Sequence, residues 1–224
     1  MKVNVRTSLP DTLYHGTTKE FIQEFKKSRS LLDSRFWKPN KDFGWGFYLT
    51  NDYKQARNWS AENSNFDDNA CVLQIKVNMV IFKQLEQDIS QHIFLGPSYE
   101  WIEYILKHRI NKSPGLQNDP CSTENPHADI VSGPMARGLV NKNCGLFAFE
   151  YRKAKEKDHP AEVDDVLSRL YKILMTGKNG NTLNASYLGN QIVICNPDIN
   201  ADLLILEGYW EMAPEGGWTY VELR

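Results

Sequence analysis

The chain alternates short β-like runs with segments of helical period, but never as regular βαβ units, and this order most limits what it can fold into. Leu13–Gly16 is predicted as a short strand running into a turn, and Lys19–Phe25 has apolar residues at helical spacing. Ser28–Lys41 is polar and broken by Pro39 and Asn40. Phe43–Thr50 is aromatic and Gly-broken, suiting a turn that leads into a strand. A helix over Asp52–Glu62, capped by Asn51 or Asp52, is followed by two β-like runs, Cys71–Val77 and Val80–Leu85. Trp101, Tyr104 and Ile105 share one helical face in Tyr99–His108, and Ala128–Val131 is a short strand candidate. Ala161–Met175 repeats apolar residues at helical period, and strands are predicted at Gln191–Cys195 and Leu203–Leu206. Interleaving without βαβ regularity favours an α+β fold over a doubly wound sheet.

A chain of 224 residues, 41% hydrophobic and 24% charged, can build one sizeable core, and no linker or repeat divides it. A single domain over 1–224 is expected. The formal net charge of -2 gives no global argument for nucleic acid or membrane. No apolar run approaches the roughly 20 residues that span a bilayer, and no signal peptide is read at the N-terminus, so a cytoplasmic location is expected. Cys71, Cys121, Cys144 and Cys195 are scattered, with no histidine at ligand spacing. Reduced structural thiols and no metal site are the expectation.

Three segments carry chemistry-bearing residues. In Leu13–Thr18, His15 ends a strand and is followed by Gly16 and Thr17; glycine lets a planar group approach the main chain closely. A buried turn histidine would read the same. In Asp42–Thr50 the Gly44-x-Gly46 pattern lacks the third glycine and the strand-to-helix context of a dinucleotide fingerprint. Tyr48 and Trp59 stand across a strand–turn–helix corner, where they would either clamp a flat cationic ring or pack as plain core. In Tyr187–Asp198 the polar Gln191 opens an otherwise apolar strand, and an inward polar side chain there needs a protein or ligand partner.

Taken together these segments resemble the ADP-ribosyltransferase superfamily, in its branch with a His–Tyr–acid triad. Tyr14-His15-Gly16-Thr17 is similar to the first motif of diphtheria toxin and the poly-ADP-ribose polymerases, Gly46-Phe47-Tyr48 through Trp59 to the second, and Asn190-Gln191-Ile192-Val193 with Asn196-Pro197 to the third strand of the polymerases. The chain resembles most a bacterial family described as a domain of unknown function and grouped with these transferases. The shared stretches are Asp42–Thr50, the tryptophan-bearing helix Tyr99–Arg109, and Asp129–Pro134. The resemblance covers about residues 11–207, leaving 208–224 as a C-terminal extension that would close over the core or contact a partner.

The resemblance implies a split β-sheet core with flanking helices and an NAD+ cleft between the sheets. NAD+ would be the substrate, with no metal. His15 would hold the adenosine-side ribose, Gly16 the nicotinamide carboxamide with Thr17 nearby, Tyr48 and Trp59 the nicotinamide ring, and Gln191 a hydroxyl of the nicotinamide ribose. Where the toxin and the polymerases have glutamate this chain has Gln191, and Gly133–Gly138 lacks the acidic residue expected after it. The implied activity is therefore transfer of single ADP-ribose units to a macromolecule, as in an intracellular toxin of a toxin–antitoxin or phage-defence system whose partner would be an antitoxin or inhibitor protein. An NAD+ glycohydrolase and a weak NAD- or ADP-ribose-binding module are the alternatives. Because Gln191 cannot act as a base, either Asp129 or Glu207 would supply one, or the nucleophile would need little deprotonation. Lys26, Lys27, Arg29, Arg35 and Lys38, and Arg152, Lys153, Lys155 and Lys157, would face a nucleic-acid acceptor or simply solvent, with Trp37 or Trp45 as exposed stacking rings. RNA or DNA is slightly favoured over protein as the acceptor.

Overall fold

The computed structural model describes residues 8–27, 31–38, 41–64, 69–109, 128–136, 139–176, 189–213 and 215–223. Its strands form two four-stranded sheets. The first has the order β1 (Thr12–Thr18), β3 (Ala70–Val77), β7 (Leu204–Met212), β8 (Trp218–Glu222), every pair antiparallel. The second has the order β2 (Phe47–Leu49), β6 (Asn190–Ile194), β5 (Ile130–Pro134), β4 (Gln91–Ile93), with β4 and β5 parallel and the rest antiparallel. The helices described are α1 (Lys19–Lys27), α2 (Tyr53–Asn63), α3 (Met79–Leu85), α4 (Tyr99–Arg109), α5 (Leu139–Glu156) and α6 (Pro160–Leu174). The α+β class expected from the interleaving is what the chain adopts.

Alternation along the strands separates two cores. Leu13, Leu73, Ile75 and Tyr209 of the first sheet meet Phe47, Leu49, Ile130 and Ile194 of the second. One residue on, Val131 and Val193 face the other way, into a cluster with Trp101 and Ile105 of α4, Phe147 and Tyr151 of α5, and Val166 and Leu170 of α6. The second sheet is thus a middle layer, apolar on both faces. Each of these large side chains contributes roughly 1.5–3 kcal/mol on burial.

Two expectations are corrected. Val80–Leu85 lies in α3, not in a strand: Asn78 Oδ1 caps the helix by accepting from Ile81 N at 3.3 Å, and Phe82 is buried while Val80 is 69% exposed, a helical rather than an alternating pattern. The C-terminal extension does not lie over the core as a separate cover: β7 runs on to Met212 and β8 pairs with it, completing the first sheet. The sequence reading also passed over α5, β4 and β8. Cys71 and Cys195 are buried thiols, burial pushing Cys71 up to about 12; Cys121 and the side chain of Cys144 lie outside the described residues.

Candidate functional site

β1 is an edge strand, and the two sheets are tied at one point along it. Tyr14 N–H donates to Thr50 O at 2.8 Å and Thr50 N–H returns a bond to Tyr14 O at 3.0 Å. Since Tyr14 turns both backbone groups away from β3, His15 turns its own towards β3 and Gly16 again turns outwards. Gly16 is buried, yet its N–H and C=O take no backbone partner among the described residues. A buried donor and acceptor thus sit side by side on this edge, groups that buried backbone ordinarily pairs.

The outer face of β1 carries α2, started by Asp52, whose side chain accepts from Lys54 N at 2.8 Å and Gln55 N at 3.3 Å. A Cβ on Gly16 would lie 2.4 Å from Ala56 O and 3.2 Å from the Trp59 ring. The glycine is therefore also needed to seat the helix, a reason not read from sequence. Ser60 locks the contact: its hydroxyl donates to Thr17 O at 2.6 Å and accepts from Cys71 N at 2.9 Å, inserted into the β1–β3 ladder. Trp59 is thereby fixed beside Gly16, with Lys41 Nζ 5.5 Å from its ring centroid.

His15 Nδ1 lies 2.7 Å from Tyr48 O. A carbonyl only accepts, so the ring proton sits on Nδ1 and Nε2 is left as an acceptor. Burial, aided by Lys38, lowers its pKa to about 4 against the opposing pull of that carbonyl, so the imidazole is neutral near pH 7. Tyr48 is held at its other end too, its hydroxyl donating to Gly44 O at 2.8 Å and accepting from Phe43 N at 2.9 Å. Gly44 makes this turn at φ 81°, and Gly46 lets β2 close on β6, where a Cβ would meet Val193 at 2.5 Å.

Gln191 is 5% exposed. Its Nε2 donates to Asp42 Oδ2 at 3.1 Å and to Pro134 O at 3.4 Å, and its Oε1 has no partner among the described residues. Asp42, 4% exposed, also accepts from Ala136 N at 2.9 Å. Beside it Gln55 spans the gap from α2 to β6, its Nε2 donating to Asn190 O at 2.7 Å and its Oε1 accepting from Asn190 N at 3.1 Å.

His15, Gly16, Thr17, Tyr48, Trp59 and Gln191 all line one cleft of about 510 Å³. Residues from strands more than 140 positions apart in sequence thus meet in one cleft. The two candidate bases do not join them. Asp129 is a brace, with both carboxylate oxygens engaged by Ser90 and Asn196, and those hydrogen bonds lower its pKa against the opposing effect of burial. Glu207 accepts from Gln74 on the first sheet. The carboxylates lining the cleft are Asp42 and Glu62, neither singled out from sequence. Trp37 is 6% exposed and packs against Trp45 at 4.9 Å, so it is not a surface stacking ring. Of the basic residues, Lys27, Arg35 and Lys155 are paired with Glu24, Asp33 and Glu103, while Arg29 lies outside the described residues. Among the described residues no three His, Cys, Asp or Glu side chains are grouped to hold a metal ion, and no helix is long and apolar enough to cross a membrane.

Fold and cleft define a class: a mixed α+β protein of two sheets, with a polar, aromatic-lined cleft where an edge of one sheet meets the other. The chain belongs to the family described as "Protein of unknown function (DUF3990)", which matches residues 12–171. His15, Asp42, Tyr48 and Trp59 fall inside that match, and Gln191 beyond it. No curated protein and no solved structure matches the chain.

Proposed function

We propose that the chain is an NAD+-dependent mono-ADP-ribosyltransferase that uses this cleft. The observation that carries the reading is the buried N–H and C=O of Gly16, without a partner among the described residues and flanked by His15, Tyr48, Trp59 and Gln191. A primary carboxamide offers one donor face and one acceptor face, matching an edge-strand residue as a neighbouring strand would. Nicotinamide carries such a group, and its pyridinium ring would be drawn to the Trp59 and Tyr48 faces by about 0.5–2 kcal/mol. Neutral His15 presents an acceptor at Nε2, suited to a ribose hydroxyl, and Gln191 presents Oε1 to another.

In the reaction the C1′–N1 glycosidic bond breaks and its electron pair leaves on nicotinamide, which departs neutral. The acceptor's lone pair forms the new bond to C1′ and its proton passes to solvent. The residues of the cleft orient the sugar and stabilise the positive charge building on it. The acceptor would be a macromolecule of the cell that makes the protein, consistent with a toxin of a toxin–antitoxin or phage-defence system. Trp37 is buried and offers no stacking ring to a nucleic acid, whereas Lys38 and Lys41 line the cleft, so both acceptor classes stay open.

The test is incubation of the purified protein with radiolabelled NAD+ and a cell lysate, divided between nuclease and protease. Nicotinamide release with label removed by one enzyme alone supports transferase activity and identifies the acceptor class. Nicotinamide release with free ADP-ribose and no labelled macromolecule refutes transfer in favour of hydrolysis. Neither release nor label refutes both, leaving a binding module.

A further inference from the structure

Gln191 places a buried amide near the start of β6, and the amide does not stand alone. Gln191 Nε2 meets Asp42 Oδ2 at 3.1 Å, both side chains are at least 95% buried, and both line the cleft. We infer that Asp42 is a positioning residue for glycosidic cleavage, holding Gln191 with its carbonyl oxygen towards the substrate and supplying from behind it the negative charge that the amide lacks. This assignment rests on the functional reading above.

The geometry argues for it in two ways. An amide is nearly symmetric in shape, so its orientation is set by its partners. Asp42 Oδ2 and Pro134 O can only accept, and both lie at the nitrogen end; a flipped amide would set its oxygen against two acceptors. Only the Oε1-outward orientation satisfies the pair. The second argument is electrostatic. A carboxylate touching the NH2 group polarises the amide and makes Oε1 a stronger acceptor for a sugar hydroxyl. Within the cleft the same charge stabilises the positive charge that grows on the ribose as nicotinamide leaves. Gln191 and Asp42 would together act as one acid, with a neutral head against the sugar and the charge one side chain deeper.

Asp42 also holds Ala136 N–H, so a variant must separate charge from bracing. Asp42→Asn keeps an oxygen for Ala136 and removes the charge. The expected result is a kcat for nicotinamide release lowered by roughly 10- to 100-fold, with KM for NAD+ within about threefold and the unfolding midpoint nearly unchanged. Gln191→Glu alone sets two carboxylates in contact and should lose activity. Combined with Asp42→Asn it exchanges the positions of charge and amide, and should recover at least about tenfold over Gln191→Glu. Should Asp42→Asn not fold, the double variant measured against Gln191→Glu decides: recovery supports the assignment and its absence overturns it. Wild-type kcat in Asp42→Asn overturns the assignment and leaves the transferase reading standing. A wild-type protein that neither binds nor cleaves NAD+ overturns both.

Discussion

Replacing Gly16 by alanine adds one methyl group at the most crowded contact of the cleft. The new Cβ would lie 2.4 Å from Ala56 O, a backbone atom of α2, and 3.2 Å from both Ser60 N and the Trp59 ring. Carbon and carbonyl oxygen rest at about 3.3–3.6 Å, so helix and strand must separate by about 1 Å. Forced overpacking of this kind costs roughly 1–3 kcal/mol. For a chain of this size each kcal/mol lowers Tm by roughly 2–4 °C, so the expected drop is roughly 2–12 °C by calorimetry. Function should suffer more. The helix carries Trp59, and a shift of about 1 Å in a positioned group can cost roughly 100-fold in rate. Nicotinamide release by Gly16→Ala should therefore fall far more steeply than its stability. A variant that melts within a degree of the wild type and turns over NAD+ at the same rate would refute the account of Gly16 as the seat of α2.

Three other outcomes follow from the same geometry. His15 has a folded pKa near 4 against an ordinary 6.5, so on falling pH the unfolded chain takes up the proton first. The associated stability is present above pH 6.5 and lost between there and pH 4, up to about 3 kcal/mol; His15→Gln should flatten urea-unfolding stability across that window, and an unchanged slope would contradict a buried neutral imidazole. Tyr48→Phe leaves Phe43 N–H and Gly44 O without their shared hydroxyl and should cost about 1–3 kcal/mol by urea titration, more than a mere surface hydroxyl. Trp59→Ala should weaken NAD+ binding by calorimetric titration by about 0.5–2 kcal/mol, with Trp59→Phe in between; equal affinity in all three would remove the ring from the nicotinamide contact.

The parts of the site legible in the sequence are local. His15–Gly16 and Tyr48–Trp59 each lie within one strand–turn–helix passage, where residue type and short spacing report directly on geometry. Asp42 was not legible as a site residue, since its partner lies 149 positions away and nothing local shows which way its carboxylate points. Asp129 failed as a base for the mirror-image reason: its neighbours suggested a strand end, but Ser90 and Asn196 bond both its oxygens from distant loops. Val80–Leu85 reads as a strand because the apolar run Val80-Ile81-Phe82 is too short to show a period, and the Asn78 cap decides it as a helix. In α5 the buried Phe147, Tyr151 and Ala154 do repeat at helical spacing, a signal that the sequence carried and the reading passed over.

An exposed strand edge is a hazard, because its unpaired groups template aggregation, and proteins cover or shorten such edges. β1 is covered at Tyr14 by Thr50, and α2 roofs its outer face. The gap between these covers is Gly16, buried and with no backbone partner on its outer side among the described residues. An extra residue pairing with β2 would have closed it at little cost. Instead Gln55 bridges α2 to β6 across the same region, holding the two sheets together without filling the opening. Covers on either side of a buried peptide group that has no backbone partner among the described residues suit the proposed carboxamide contact.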